Sequence, residues 1–276
     1  MSRRTGPAAP LALAATLLLA LLWLFPLAWT VSTSLKDSFQ TIVVPPRWLP
    51  SPVSFAEYSR IVTTGQVTIW LLNSLLTAGL VTVLTVGISA SAAYAFSQLR
   101  FPGHGLLFWL FLASLMVPFE ALVVPLYQQV NAMGLLNTYA GIVLPQLTTP
   151  LAVFIFRRFF DGVPQEYREA AKLDGAAEWL VLARIYLPMS RGVVWAVAII
   201  IFITSWNNFL WPFIVITSPE MMTITVGLTQ VQSQYGVQFA AQMASAILGG
   251  LPVALLYLAF QNRVNSGFLA ASGLKG

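Results

Sequence analysis

Several long stretches of this chain carry no charged side chain, among them residues 11–31 and residues 61–99. An α-helix needs about 20 uncharged apolar residues to cross the hydrocarbon core of a bilayer, which is roughly 30 Å thick. The composition agrees, because 58% of the residues are hydrophobic and only 8% are charged, whereas soluble domains contain about 25% charged residues. The sequence therefore predicts a polytopic membrane protein.

The order of apolar and polar segments predicts an all-α fold with six transmembrane helices in a single transmembrane domain, residues 1–276. The first apolar run follows two arginines, as a signal peptide would. It is longer than the usual signal core of about 7–15 residues and no small-residue cleavage site follows it, so we expect it to be retained. The predicted spans are residues 11–31, 69–96, 106–130, 139–156, 193–217 and 240–260.

Lysine and arginine are distributed unequally between the two sides of this arrangement. An even number of spans places both termini on one side, and that side then holds every basic residue except Lys36, Arg47 and Arg60. Basic residues collect in cytoplasmic loops. We therefore expect cytoplasmic N- and C-termini and a cytoplasmic loop over residues 157–192. The same bias explains the net charge of +5, so we expect contact with the lipid bilayer and none with nucleic acid.

The loop of residues 157–192 contains 11 of the 23 charged side chains. Pro164 suits the first position of a helix and Gly175 suits its end, which predicts a short helix between them. A second short helix is expected over residues 176–186, stopped by Pro188. Four side chains of the first helix fall on one face: Tyr167, Ala170, Ala171 and Asp174.

An alternative interpretation is an amphipathic loop that lies on the membrane surface. In that case Trp179, Leu180 and Ile185 would be inserted among the lipids. Helical periodicity alone leaves both interpretations open.

The loop also contains an ordered pattern: Glu169-Ala170-Ala171, then Gly175, then Ile185 and Leu187-Pro188. This pattern resembles the signature of the permease subunits of bacterial ABC importers. Segments elsewhere resemble the carbohydrate branch of that family, of the maltose and glycerol-3-phosphate type, and its second permease subunit. They are residues 116–120, 134–139, 174–176, 206–212 and the Gly-Leu-Lys-Gly end. Asn208 stands where relatives usually carry an acidic residue.

The resemblance implies the type I ABC importer permease fold, in a multi-pass protein of the bacterial cytoplasmic (inner) membrane. It implies a transport subunit for a sugar or sugar-like solute and not an enzyme. The implied partners are a second permease subunit in a heterodimer, two copies of a cytoplasmic ABC ATPase that bind ATP and Mg, and an extracytoplasmic substrate-binding protein.

The chain itself is expected to have no catalytic residue, cofactor or metal site. A P-loop requires glycine immediately before lysine, and the three lysines follow Leu35, Ala171 and Leu274. There is no cysteine, and His104 is the only histidine, so thiolate metal sites and a multi-histidine metal centre are excluded.

The resemblance also assigns roles within the loop. In the family this loop forms a coupling helix that sits in a cleft of the ATPase, and closure of the ATPase dimer moves the membrane helices through it. The residues expected to couple to the ATPase are Glu169, Ala170, Ala171, Asp174, Gly175, Ile185, Leu187 and Pro188. The C-terminal residues 273–276 are expected to touch the ATPase as well.

Two sets of polar residues inside the predicted spans are candidates for the translocation pathway. Glu120 is the only acidic residue in a span, where charge costs about 3 kcal/mol, and the flanking Pro118 and Pro125 predict an interrupted helix. The second set offers amides and aromatic rings to a sugar: Trp206, Asn207, Asn208 and Trp211. Alternatively, Glu120 is neutralised or lies at the interface, the asparagines join helices, and the tryptophans anchor the chain at the interface.

Two other classes of protein remain as alternatives. An ion-coupled secondary transporter usually has several intramembrane ionisable residues and repeated halves, whereas this chain has one such glutamate and no visible repeat. A membrane enzyme needs a nucleophile beside a base, and the only histidine lies in a predicted turn.

Overall fold

The computed structural model describes residues 8–64, 66–234 and 238–271, and within this part of the chain it contains helices and no strand. The predicted contact of residues 273–276 lies outside the described residues. The helices are α1 (Ala8–Ser34), α2 (Ala56–Thr64), α3 (Gln66–Gln98), α4 (His104–Ala113), α5 (Phe119–Ala132), α6 (Tyr139–Val143), α7 (Pro150–Phe160), α8 (Glu166–Leu173), α9 (Glu178–Val181), α10 (Leu187–Met189), α11 (Arg191–Trp206), α12 (Leu210–Val215), α13 (Ile224–Gln234) and α14 (Phe239–Ala271).

Three straight helical segments are long and apolar enough to cross a membrane: Leu11–Ser34, Gln66–Gln98 and Phe239–Phe260. Three further candidates are bent pairs. They are His104–Met116 with Phe119–Ala132, Tyr139–Gln146 with Pro150–Phe160, and Glu178–Met189 with Arg191–Trp206, bent by 101°, 50° and 88°. Counting each pair once gives up to six spans, which agrees with the predicted number and with the all-α fold.

The third predicted span, residues 106–130, is broken rather than continuous. Pro118 has no N–H and forces Val117 towards an extended backbone, and Val117 has φ −86° and ψ 114°. The helix ends there and α5 starts in a new direction. The predicted interruption is therefore confirmed at Pro118. It is wrong at Pro125, which lies inside α5.

The fifth predicted span, residues 193–217, is also wrong as a single helix, because α11 ends at Trp206 and α12 begins at Leu210. A continuous helix would need an N–H at position 212 to bond the carbonyl of Asn208, and Pro212 has none. The hydroxyl of Thr225 donates to that carbonyl instead, at 3.0 Å. The break is thus satisfied by a residue from outside the span.

Contacts between backbones divide the chain into two compact units, and the prediction of a single domain stays a prediction. The first unit contains residues 1–68 and 227–251. Within it, the proline-rich loop after α1 folds around Gln40, whose side chain bonds Asp37, Ser51 and the carbonyl of Pro52. This gives an irregular segment internal hydrogen-bond partners, as a loop outside lipid needs.

The second unit contains residues 69–226 and 252–276 and holds the main apolar core. Aromatic and aliphatic side chains of α3, α7 and α11 meet the loop between α7 and α11 there. Fully buried members include Ala93, Phe156, Phe160 and Tyr186. The charged loop is therefore packed onto the spans, and its buried side chains form part of this core.

Candidate functional site

We call residues 157–192 the coupling loop, and α8 is its outermost helix. Pro164 lies before α8, whose N-cap is Gln165 and whose first residue is Glu166. The prediction that Pro164 is the first helical residue was therefore wrong by two residues. Gly175 ends the helix as predicted, with φ +78°. Its N–H donates to the carbonyl of Lys172 at 3.0 Å, and the N–H of Ala176 donates to that of Ala171 at 2.9 Å. This pair of bonds is a Schellman motif, which needs a left-handed residue.

The second helix of the loop runs further than predicted. It begins as α9 at Glu178, widens into a π turn over Leu182–Tyr186, and continues through Pro188 to Met189. The expectation that Pro188 stops it is wrong. The wide turn bonds the N–H of Leu187 to the carbonyl of Leu182, so a proline at the next position disturbs no regular i to i−4 ladder.

Glu178 ties α8 to both neighbouring elements. Its carboxylate accepts two hydrogen bonds from Arg168, at 2.6 and 3.2 Å, and Lys172 Nζ lies 3.3 Å away. The hydroxyl of Tyr94, in α3, donates to the same carboxylate at 2.5 Å. The bonds from Arg168 outweigh partial burial and lower the pKa of Glu178 to about 2. The carboxylate is therefore charged at neutral pH and fixes α8 against α3.

A cluster of aromatic rings fixes the C-terminal part of the coupling loop to the core. The ring of Tyr186 is fully buried and meets Tyr94 edge-on at 5.0 Å and Phe160 edge-on at 5.4 Å. Phe156 stacks on Phe160 at 5.9 Å. Edge-to-face and stacked pairs at these distances add to the stabilisation that comes from burial. Hydrogen bonds to the charged Glu178 therefore hold α8, and aromatic packing around Tyr186 holds the part of the loop that leads into α11.

The eight residues predicted to couple to an ATPase lie on two sides of this loop. Three pack towards the core: Ala171, Ile185 and Leu187. Five are exposed: Glu169, Ala170, Asp174, Gly175 and Pro188. Because Ile185 packs inward, it does not share an exposed face with Trp179, and this disfavours the alternative of a loop lying on lipid.

Leu173 is the functional candidate that the sequence pattern missed. It lies in the spacer between Ala171 and Gly175, and 90% of its surface is exposed. On the helix it is flanked by Glu169 and Ala170, four and three residues earlier. Trp179 is also 70% exposed nearby in sequence. Leu173 belongs to α8 and Trp179 to α9. Leu173 ends a helix that Glu178 holds in place, so its exposed side chain is a candidate for a protein contact.

A cleft of about 1280 Å³ lies beside α8. Its walls are the end of α3 and the turn that follows it, and one face of the coupling loop. Arg100, Arg157 and Arg168 give it positive charge, and Glu169 lines its edge. A cleft of this charge attracts an acidic partner surface. His104, from the turn, also lines it.

The tryptophans of the second pathway set are buried within the chain. Trp211 is fully buried and donates to the carbonyl of Gly141 at 3.0 Å, and Trp206 is 3% exposed and stacks on Phe202. Their rings offer no free face to a sugar, which favours a packing role.

The two asparagines differ from each other. Asn208 donates to Gln146 Oε1 at 2.9 Å and its Oδ1 lies 3.4 Å from the N–H of Trp211, so it joins α12 to the span before it. A carboxylate at this position has no hydrogen to donate to Gln146. Asn207 is exposed, and its amide donates to the carbonyl of Ile203 at 2.9 Å. Asn207 therefore remains a pathway candidate.

Glu120 lies exposed in the first turn of α5, where the helix dipole stabilises a negative charge. It has no ion-pair partner within the described ranges. Tyr127 and Asn131 follow it by seven and eleven residues, on the same helix face, and are also exposed. The buried Val130 lies on an adjacent side of α5, about 80° around the helix from Glu120. Together Glu120, Tyr127 and Asn131 form a polar stripe, which the sequence predicted only at its first residue.

In residues 8–64, 66–234 and 238–271, no group of three or more histidine, aspartate and glutamate side chains could hold a metal ion.

Comparison with known proteins places this architecture. The family model described as "binding-protein-dependent transport system inner membrane component" matches residues 84–265. The arabinooligosaccharides transport system permease protein AraQ of Bacillus subtilis (strain 168) is 34% identical, over 94% of this chain and 93% of its own length. The sn-glycerol-3-phosphate transport system permease protein UgpE of Yersinia pestis bv. Antiqua (strain Antiqua) is 35% identical, over 87% of this chain and 89% of its own.

Among solved structures, a bacterial ABC transporter involved in the import of the acidic polysaccharide alginate contains a chain of the same fold. It superposes with a TM-score of 0.85 at 19% identity, over 95% of this chain and 98% of that chain. At this identity the likeness shows the fold.

Proposed function

Since the chain belongs to the family of inner membrane components of binding-protein-dependent transport systems, we propose that it forms part of the membrane pathway of an ABC importer for a carbohydrate or sugar-like solute. Its coupling loop transmits the movement of a separate ATPase to that pathway. The membrane is the cytoplasmic (inner) membrane of a bacterium, with both termini and the coupling loop on the cytoplasmic side.

Family membership confirms three predictions made from the sequence: the resemblance itself, the helical permease fold, and a role as a transport component and not an enzyme. The ion-coupled secondary transporter and the membrane enzyme are thereby set aside as classes for this chain.

The exposed face of α8 carries the proposal. Leu173, with 90% of its surface exposed, is a large apolar side chain that the described residues leave almost uncovered. Glu178, which bonds Arg168 of α8, and Tyr186, which packs on Tyr94, hold α8 and the loop behind it against the spans. A force applied at Leu173 is therefore transmitted to α3 and α7 instead of being lost in loop motion. The exposed Glu169, Ala170 and Gly175 complete the contact surface.

The partners follow from this arrangement. Two copies of a cytoplasmic ABC ATPase supply the energy and hold ATP and Mg, one of them on this coupling loop. A second permease subunit completes the pathway as a heterodimer, and an extracytoplasmic binding protein delivers the solute. This chain itself holds no cofactor.

The substrate class rests on the relatives and on α5. Permeases named for arabinooligosaccharides and for glycerol-3-phosphate match this chain over most of its length. The polar stripe of Glu120, Tyr127 and Asn131 offers a carboxylate, a phenol and an amide on one exposed face, which are groups that bond hydroxyls. This stripe, with Asn207, lines the pathway. Trp206, Asn208 and Trp211 hold its wall together.

A matched pair of leucine variants tests the coupling surface. The tagged chain is co-expressed with its transport system, as wild type, Leu173→Ser and Leu49→Ser; Leu49 is also highly exposed, at 76%, but lies in the predicted outer loop. The ATPase subunit that co-purifies is quantified, and ATP-dependent uptake of labelled oligosaccharides is measured in proteoliposomes.

Leu173→Ser should lose the ATPase and uptake by at least about tenfold, as for loss of a central contact residue, while keeping the second permease. Leu49→Ser should retain all three. If Leu173→Ser keeps the ATPase at the wild-type level, the coupling surface is elsewhere. Uptake by the wild-type chain alone contradicts the importer mechanism.

A further inference from the structure

Two mainly apolar grooves lie side by side at the end of α7. The smaller, of about 390 Å³, has apolar walls of Phe108, Trp109, Leu112 and Phe154, and its lining also includes the charged residues Arg157, Arg158 and Asp161. The larger, of about 600 Å³, is lined mainly by Phe154, Ile155, Phe159 and Val163. Both volumes are in the range of pockets that hold small ligands. Neither groove is used by the coupling surface or by the polar stripe.

Arg158 and Phe154 line both grooves. They are four residues apart on α7, so Phe154 lies one helical turn below Arg158 on the same face. Phe154 forms the ridge that separates the two grooves, and Arg158 stands above it. Arg158 is therefore the one charged residue that the two mainly apolar grooves share.

The charge of Arg158 is uncompensated. Its side chain is exposed, and no acidic partner for it occurs in the part of the chain that the structure describes. The neighbouring acid, Asp161, lies 3.8 Å from Arg157 and accepts a hydrogen bond from Ser97 at 2.6 Å. Arg157 also stands 3.8 Å over the ring of Phe108. The carboxylate of Asp161 thus pairs with Arg157, and Arg158 has no ion-pair partner among the described residues.

We propose that Arg158 and the two grooves bind one anionic phospholipid, with its phosphate on Arg158 and its two acyl chains on either side of Phe154. One phosphate and two hydrocarbon chains match one unpaired arginine and two mainly apolar grooves in number. α7 ends at this point, so the arginine lies where a span leaves the hydrocarbon core. Basic pockets between spans recognise anionic head groups in this way.

Native mass spectrometry of the purified importer complex tests the proposal. The complex is incubated with an equimolar mixture of phosphatidylglycerol and phosphatidylcholine in detergent, and the lipids retained on this chain are counted. The variants are Arg158→Gln, Arg158→Lys and Arg184→Gln. Arg184 is an equally exposed arginine of the coupling loop that lines neither groove.

Wild type should retain phosphatidylglycerol in preference to phosphatidylcholine. Arg158→Gln should lower that retention roughly fivefold, the usual effect of one basic residue at a membrane surface. Arg158→Lys and Arg184→Gln should stay close to wild type. Because Arg158 has no partner in the described chain, its replacement should leave the complex monodisperse, and gel filtration checks this.

Four results would overturn the proposal. Equal retention of the two lipids by wild type means that the head group is not recognised. An equal loss in Arg184→Gln means that only net charge matters. Displacement of the lipid by inorganic phosphate means a site for free anions. Retention by the isolated chain but not by the complex means that the second permease covers the grooves.

Discussion

At the scale of single residues, Glu178 connects more of the coupling loop than any predicted site residue. Its carboxylate accepts from Tyr94 of α3 and from Arg168 of α8, with Lys172 close by. Glu178→Gln removes the charge that all three donors share. Hydrogen bonds to a charged group contribute about 1.5–3 kcal/mol, so we expect a loss of stability of that order, measured by thermal unfolding in detergent at pH 7.

The effect of Glu178 should depend on pH. Arg168 lowers the pKa of this carboxyl from 4.5 to about 2. A lowered pKa stabilises the folded state fully above the unfolded-state value, and the contribution is lost as the pH falls towards 2. The difference between wild type and Glu178→Gln should therefore shrink between pH 4.5 and pH 2.

Glu166→Gln is the matched control, since Glu166 is exposed and has no ion pair among the described side chains. It should change stability by less than about 0.5 kcal/mol. Equal destabilisation by the two variants would show that Glu178 acts only through net charge.

The sequence could not have identified this network. Tyr94 and Glu178 are 84 residues apart, and their contact depends on how α3 packs against the loop. Leu173 was missed for a different reason, because an apolar residue in a short helix looks like a core residue until its exposure is known. By contrast, Gly175 was predicted correctly, since a helix end that needs a positive φ is decided by local backbone sterics.

At the scale of elements, α5 allows a direct test of the translocation pathway. Glu120 lies on the polar stripe, and Gln129 is exposed on the opposite side of the same helix, nine residues later. Glu120→Ala should reduce uptake about tenfold, because a substrate hydroxyl loses a charged hydrogen-bond acceptor. Gln129→Ala should transport at the wild-type rate, and both variants should assemble normally. Initial uptake rates in proteoliposomes provide the measurement, and equal effects would remove the stripe from the pathway.

The prolines show how far elements can be predicted. Pro118 and Pro212 each lie at or within a few residues after a break between two helices, whereas Pro125 and Pro188 lie within continuous helical backbone. Two compensations replace the hydrogen bond that a proline cannot donate. Another group can bond the carbonyl left without a partner, or the preceding turn can widen. Thr225 does the first at Asn208, and the π turn before Leu187 does the second. These compensations come from distant or irregular backbone, so the number of spans was predictable and their bends were only partly so.

At the scale of the whole molecule, the open prediction is which way the chain faces. The excess of lysine and arginine on one side of the predicted topology places the coupling loop in the cytoplasm, where ATP is available. The chain has no cysteine, so single cysteines can be labelled without background. Leu49→Cys and Ala183→Cys put a thiol at exposed positions in the outer loop and in the coupling loop. Neither change alters the charge that sets the orientation.

A membrane-impermeant maleimide should label Leu49→Cys only in right-side-out vesicles and Ala183→Cys only in inverted ones, and detergent should expose both. The opposite pattern would place α8 and Leu173 outside the cell, where no ATPase can reach them. If both cysteines were labelled from one side, the chain would cross the membrane an even number of times between residues 49 and 183. That would contradict the three predicted spans that separate these two positions. Only the first pattern is compatible with a coupling loop driven by ATP.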